Sequence, residues 1–111
     1  MQKMLIQLDV EKIERDNKYD IKDMWKAIDE IFAKQKCVKE VNEDGSAMYL
    51  GNPNTDNYLA DFGIAYITLK SSSWFLEYAL KWIWYDNDED ENGSFEESDT
   101  LYRVKKKLGM I

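Results

Sequence analysis

From Met4 to Val10 the apolar residues Met4, Ile6, Leu8 and Val10 alternate with Leu5, Gln7 and Asp9. A period of two is what a strand shows when one of its faces looks into a core. A first strand is expected there. Glu11 to Lys18 is polar and reads equally as a connection or as a ragged helical turn. Asp20 then has the place of an N-cap, because Ile21, Met24, Trp25, Ile28, Ile31 and Phe32 follow at helical spacing. Lys22, Asp23, Lys26, Asp29, Glu30 and Lys34 fill the opposite side. The pattern predicts an amphipathic helix over 21–35, with Trp25 in its core-facing seam.

Val38–Glu43 and Ser46–Gly51 flank Asp44-Gly45, a dipeptide suited to the two positive φ values of a type I′ turn. The expected hairpin spans 38–51 and sets Val41 against Met48. Asn52-Pro53-Asn54-Thr55 is turn chemistry, with the chain's one proline fixing φ. Tyr58, Leu59, Phe62, Ala65, Tyr66 and Leu69 fit one helical face, while the run from Ile64 to Leu69 would also suit a buried strand. Helix is the favoured reading. Ser71 to Ser73 offer an N-cap for a helix from Trp74 to Tyr85 whose end, Trp82 to Tyr85, reads as strand almost as well. Ser94 and Glu97 have capping-box spacing, Asp99 is an alternative cap, and Leu101, Val104 and Leu108 form a terminal helical stripe ending at Gly109.

These elements compose a single α+β domain over 1–111. A small antiparallel sheet, made of the N-terminal strand and the 38–51 hairpin, packs against helix 21–35. Further helices occupy the C-terminal half, and the segment 86–99 is expected to be mobile.

Charge changes this picture in one place. Residues 86–99 hold eight of the 22 carboxylates and no base, residues 1–85 carry 14 acids against 11 bases, and residues 100–111 carry four bases. The net charge of −7 therefore arises almost wholly in one segment. At 44% apolar and 33% charged the chain as a whole has a globular composition. Cys37 is the only cysteine, no secretory leader pattern opens the chain, and no apolar run reaches the ~18 residues of a bilayer span. The expectation is a cytoplasmic protein that does not insert into membranes.

Histidine is absent, which removes Ser-His and Cys-His nucleophiles and the commonest transition-metal ligand. No carboxylate pair stands out as held across a cleft, no glycine-rich phosphate loop occurs, and Cys37 lacks an imidazole partner. The expectation is a protein that is not an enzyme. Its net acidity opposes direct nucleic-acid binding, since the sole basic cluster, Arg103 with Lys105 to Lys107, adjoins the acidic segment.

Three readings of the acidic segment follow. With Asp88 as position 1, residues 88–99 resemble an EF-hand loop: Asp88, Asp90, Asn92, Glu96 and Asp99 supply oxygen ligands at positions 1, 3, 5, 9 and 12, and Gly93 sits at the turn. The resemblance implies a hard cation, Ca2+, and no other cofactor is implied. It covers 12 residues, with aspartate where a bidentate glutamate is usual and no second loop of this kind. In the second reading the acids form an anionic surface for a basic protein partner, a short mimic of nucleic-acid backbone or an inhibitor. The third is a solvated loop.

Trp74, Phe75, Tyr78, Trp82, Trp84 and Tyr85 immediately precede the acids. Carboxylates beside aromatics are the mixture of a protein interface. The sequence is therefore read as a small acidic binding or regulatory protein in which Trp82 and Trp84 anchor a protein partner while Asp88, Asp90 and Glu91 steer it. The calcium loop is the alternative, and a homodimer would bury the same aromatic patch.

Overall fold

A five-stranded antiparallel sheet in the order β2-β3-β1-β4-β5 carries the fold. The computed structural model describes residues 2–51, 58–86 and 96–111, the side chains of 58–61 and Glu96 excepted. In chain order the elements are β1 (Gln2–Leu8), α1 (Val10–Asp16), α2 (Ile21–Ala33), β2 (Val38–Val41), β3 (Ala47–Leu50), α3 (Tyr58–Lys70), α4 (Ser73–Tyr78), β4 (Ala79–Asp86), β5 (Glu96–Asp99) and α5 (Thr100–Lys107). The α+β class is as expected, but β4 and β5 join the sheet as well.

β1 lies at the centre, paired with β3 on one side and β4 on the other. Met4, Ile6 and Leu8 are buried and Lys3, Leu5 and Gln7 only half-buried, as the alternation requires. The strand ends before Val10, because the Asp9 carboxylate accepts a hydrogen bond from the Lys12 amide at 3.2 Å and starts α1 instead. Val10 thus opens a helix and stands exposed. In α2 the Asp20 carboxylate accepts from the Lys22 amide at 2.8 Å, and Met24, Ile28 and Phe32 are buried.

The hairpin is real but its register differs from expectation. Gly45 alone has the positive φ, 86°, and Asp44 does not. The Gly45 amide donates to the Asn42 carbonyl at 3.0 Å and the Asn42 amide to the Ser46 carbonyl at 2.8 Å. This is a longer connection than a two-residue turn, with glycine at its single left-handed position. Asp44 is held by Ser46, whose amide and hydroxyl donate to its carboxylate at 2.9 and 2.6 Å. Val41 consequently faces Ala47, not Met48. Ala47 and Tyr49, opposite Ile6 and Met4 of β1, are buried while Met48 and Leu50 turn outward, and the one-residue slip brings Val41 and Lys39 onto the side of Ala47 and Tyr49.

α3 is helical, with Phe62, Ala65 and Leu69 buried. The next segment gives up its helix at Tyr78, earlier than expected, because Ala79 to Asp86 finds the free edge of β1. Of the two caps read for the last helix, Asp99 is the one used: its carboxylate accepts from the Tyr102 amide at 3.2 Å. Ser94 lies outside the described residues.

One face of the sheet bears the core. Phe32 of α2 stacks on Tyr49 at 3.9 Å between centroids, Tyr66 of α3 meets Trp82 at 5.7 Å, and Phe75 of α4 meets Trp82 edge-on at 5.1 Å.

Candidate functional site

The sheet's other face follows directly from the pairing. One cross-strand row reads Val38, Leu50, Lys3, Tyr85, Glu97, and the next reads Glu40, Met48, Leu5, Ile83, Asp99. Facing residues in an antiparallel pair project to the same side, so these two rows share a surface. Leu5, Met48, Leu50, Ile83 and Tyr85 at its centre are half-buried, and Val38, Glu40, Glu97 and Asp99 at its margins are exposed. The core-forming side chains of α2, α3 and α4 pack on the opposite face. On the β4 side, Leu101 and Tyr102 of α5 with Ile111 border a concavity of about 330 Å3 against Leu80, Lys81 and Ile83.

Electrostatics grade across this face. The Lys3 ammonium lies 5.4 Å from the Tyr85 ring centroid, and Lys81 stands on β4, while the margin at β5 is anionic. The Tyr85 phenol is raised above its ordinary pKa, by burial first and then by the Glu97 carboxylate. Asp86 and Glu96 are register partners, so the acidic segment leaves and rejoins the sheet at one point beside Tyr85. Among the described residues no ion pair joins Arg103 or Lys105 to Lys107 to Asp86, Glu97 or Asp99.

The residues singled out from the sequence fall on different sides of this geometry. Trp82 is fully buried, and its indole N–H meets the Met4 sulfur at 3.0 Å. It is a core residue and cannot anchor a partner. Trp84 is two positions on, so it projects to the same helix-covered side, 6.2 Å from Phe62 and 5.9 Å from Tyr66 between centroids. Of the described aromatics on β4, Tyr85 is the one on the outward face. Asp88, Asp90, Glu91 and Asn92 lie outside the described residues, as does the Glu96 side chain. Asp99 is described, as the cap of α5. Among the described residues, no cluster of three or more carboxylate or thiol side chains is arranged to hold a metal ion.

Sequence reasoning did not identify Leu5, Met48, Leu50 and Ile83 as one surface. The signal was a period of two running from Trp82 to Asp86, which separates Ile83 and Tyr85 from both indoles. The fold defines an α+β protein built on a five-stranded antiparallel sheet, with no helix among the described residues long and apolar enough to cross a membrane. No family model, curated protein sequence or solved structure matches the chain.

Proposed function

We propose that this is a non-catalytic binding or regulatory protein that engages a protein partner with a basic surface through the outward face of β1, β4 and β5. Tyr85 and Ile83 supply the contact, and the acids from Asp86 to Asp99 steer the encounter. The observation that carries this reading is the adjacency of a half-exposed apolar sheet face to the point where the acidic segment leaves and rejoins the sheet. A tyrosine with an apolar ring and a donor hydroxyl suits an interface centre, and charges at the rim favour association rate and partner choice. An inhibitor occupying a basic groove is one form of such a protein.

Short edge strands rich in charge also resist pairing with other sheets, and Glu97 and Asp99 on β5 serve that end whatever the partner.

The test is quantitative recovery of partners from the source cell by three proteins: the wild type, Tyr85→Ala, and a triple variant Asp88→Asn, Asp90→Asn, Glu91→Gln. The wild type should retain a partner in low salt and release it as salt rises. The triple variant should lose that salt-dependent part, and Tyr85→Ala should weaken what remains. Equal recovery of every partner by all three proteins would refute the proposal.

A further inference from the structure

β2 is the other edge of the sheet, and among the described residues no strand pairs with its outer side. All four of its residues are exposed, Val41 at 68%. The Asn42 amide bonds the Ser46 carbonyl, so residues 42 and 46 form a hydrogen-bonded pair, and such pairs alternate along an antiparallel ladder. Glu40 and Val38 therefore point their backbone groups inward to Met48 and Leu50. Lys39 and Val41 point theirs outward, to the open edge.

The side chains of Lys39 and Val41 share the sheet face covered by α2, where they form one wall of a groove of about 590 Å3. The other wall is Lys22, Trp25, Lys26, Asp29, Glu30 and Ala33, one side of α2 over three turns. At 1.5 Å per residue this wall is about 16 Å long, the length of roughly five extended residues. Asp29 and Lys39 are already engaged: Asp29 accepts from the Tyr49 hydroxyl at 2.6 Å and pairs with Lys39 at 2.9 Å, and the Lys39 ammonium lies 5.0 Å from the Trp25 ring centroid, while Glu30 makes no ion pair among the described residues. Lys22 and Lys26 make no ion pair among the described residues.

We propose that β2 and this groove form a docking site for an extended, acidic-aliphatic peptide segment of a partner protein, which adds to the sheet as a sixth strand. Its backbone bonds to the outward amides and carbonyls of Lys39 and Val41, as in other cases of strand addition. Its alternate side chains enter the groove, aliphatic ones against Trp25, Val41 and Ala47 and carboxylates toward Lys22 and Lys26. The net charge of −7 does not forbid an acidic ligand here. β5 is four strand spacings away, about 19 Å, and the screening length at physiological salt is about 8 Å. A second copy is the poorer occupant. Facing residues must share a side of the sheet, so two-fold pairing of β2 with itself at best overlap sets Lys39 opposite Lys39 or Glu40 opposite Glu40, and like charges so placed repel.

Binding at the β2 edge is independent of the outward face of β1, β4 and β5. The probe is a blocked peptide, Thr-Glu-Thr-Leu-Thr-Val-Thr-Glu-Thr, titrated against the isotope-labelled protein with amide shifts as the readout. Four controls accompany it: the same peptide with lysine for glutamate, a version N-methylated at alternate amides, the protein variant Val41→Pro, and the double variant Lys22→Gln with Lys26→Gln. Proline is tolerated on an edge strand where its missing N–H faced solvent.

The expected result is saturable binding with the largest shifts at Lys39 and Val41. Affinity should fall tenfold or more with Val41→Pro and with the N-methylated peptide. It should fall several-fold with the double lysine variant or the lysine peptide. If Val41→Pro does not fold, the N-methylated peptide on wild-type protein tests the same backbone bonds. No shift at millimolar peptide, equal binding of the N-methylated form, or a dimer abolished by Val41→Pro would each overturn the proposal.

Discussion

Replacing tryptophan by phenylalanine should have very different effects at Trp82 and Trp84, although the chemical change is the same. Trp82 is fully buried and its N–H is bonded to Met4. The smaller ring leaves a void of about 40 Å3, worth about 1 kcal/mol at ~24 cal/mol per Å3. Lost burial of apolar surface costs about another 1 kcal/mol, and the lost hydrogen bond about 0.5 kcal/mol. Trp82→Phe should therefore destabilise by about 2–3 kcal/mol, lowering Tm by roughly 10 °C for a chain of this size.

Trp84 is only half-buried, and its indole N–H is buried with no hydrogen-bond partner among the described residues. Removing that N–H relieves an unmet desolvation cost of about 1 kcal/mol, which offsets the smaller loss of area. Trp84→Phe should leave stability within about 1 kcal/mol of wild type. Urea unfolding followed by far-ultraviolet circular dichroism measures both without relying on the altered indoles. Equal losses at the two positions, or a larger loss at Trp84, would refute the assignment of Trp82 to the core and of Trp84 to its margin.

Alkaline pH should weaken the fold through two tyrosines. Tyr49 and Tyr78 donate to Asp29 at 2.6 Å and Asp16 at 3.0 Å, and burial first, then those carboxylates, raise both phenols, Tyr78 to about 12 and Tyr49 well above the ordinary range. An unfolded phenol ionises near pH ~10, so the stability these groups lend is complete below that pH and is lost as pH rises from about 10 toward the folded values. Urea midpoints should fall over that range, less steeply in Tyr49→Phe; an unchanged slope in that variant would contradict the geometry. The glycines offer a second contrast. Gly63 lies inside α3 with nothing within 4 Å of an added Cβ, so Gly63→Ala should stabilise by about 0.5–1 kcal/mol. Gly45 has equally open surroundings but a φ of 86°, so Gly45→Ala should destabilise by about 1 kcal/mol. Thermal melts of the two variants should shift in opposite directions.

The amino-acid order by itself determined β1 and α2, because a period of two, a period near 3.6 and an aspartate at a helix start act within a few residues. It also determined that the acidity is concentrated in one segment. Helices α3 and α5 were legible too, from the Phe62, Ala65 and Leu69 stripe and the Asp99 cap, whereas tertiary structure decided the sheet, because strand pairing joins positions far apart in the chain. Val41 meets Ala47 only because the Asp44 loop curls around Ser46 and uses one left-handed residue, a choice that Asp-Gly leaves open. Ala79 becomes strand where helix was expected, since β1 offers an unpaired edge that no local pattern reveals. Glu96 to Asp99 has little strand propensity and is extended because β4 lies beside it. The candidate surface depends on the same non-local register: pairing with β1 put both indoles among the helices and left Tyr85 and Ile83 outward. The groove beside β2 exists because the sheet ends there with α2 across its face, a closeness of walls set by packing.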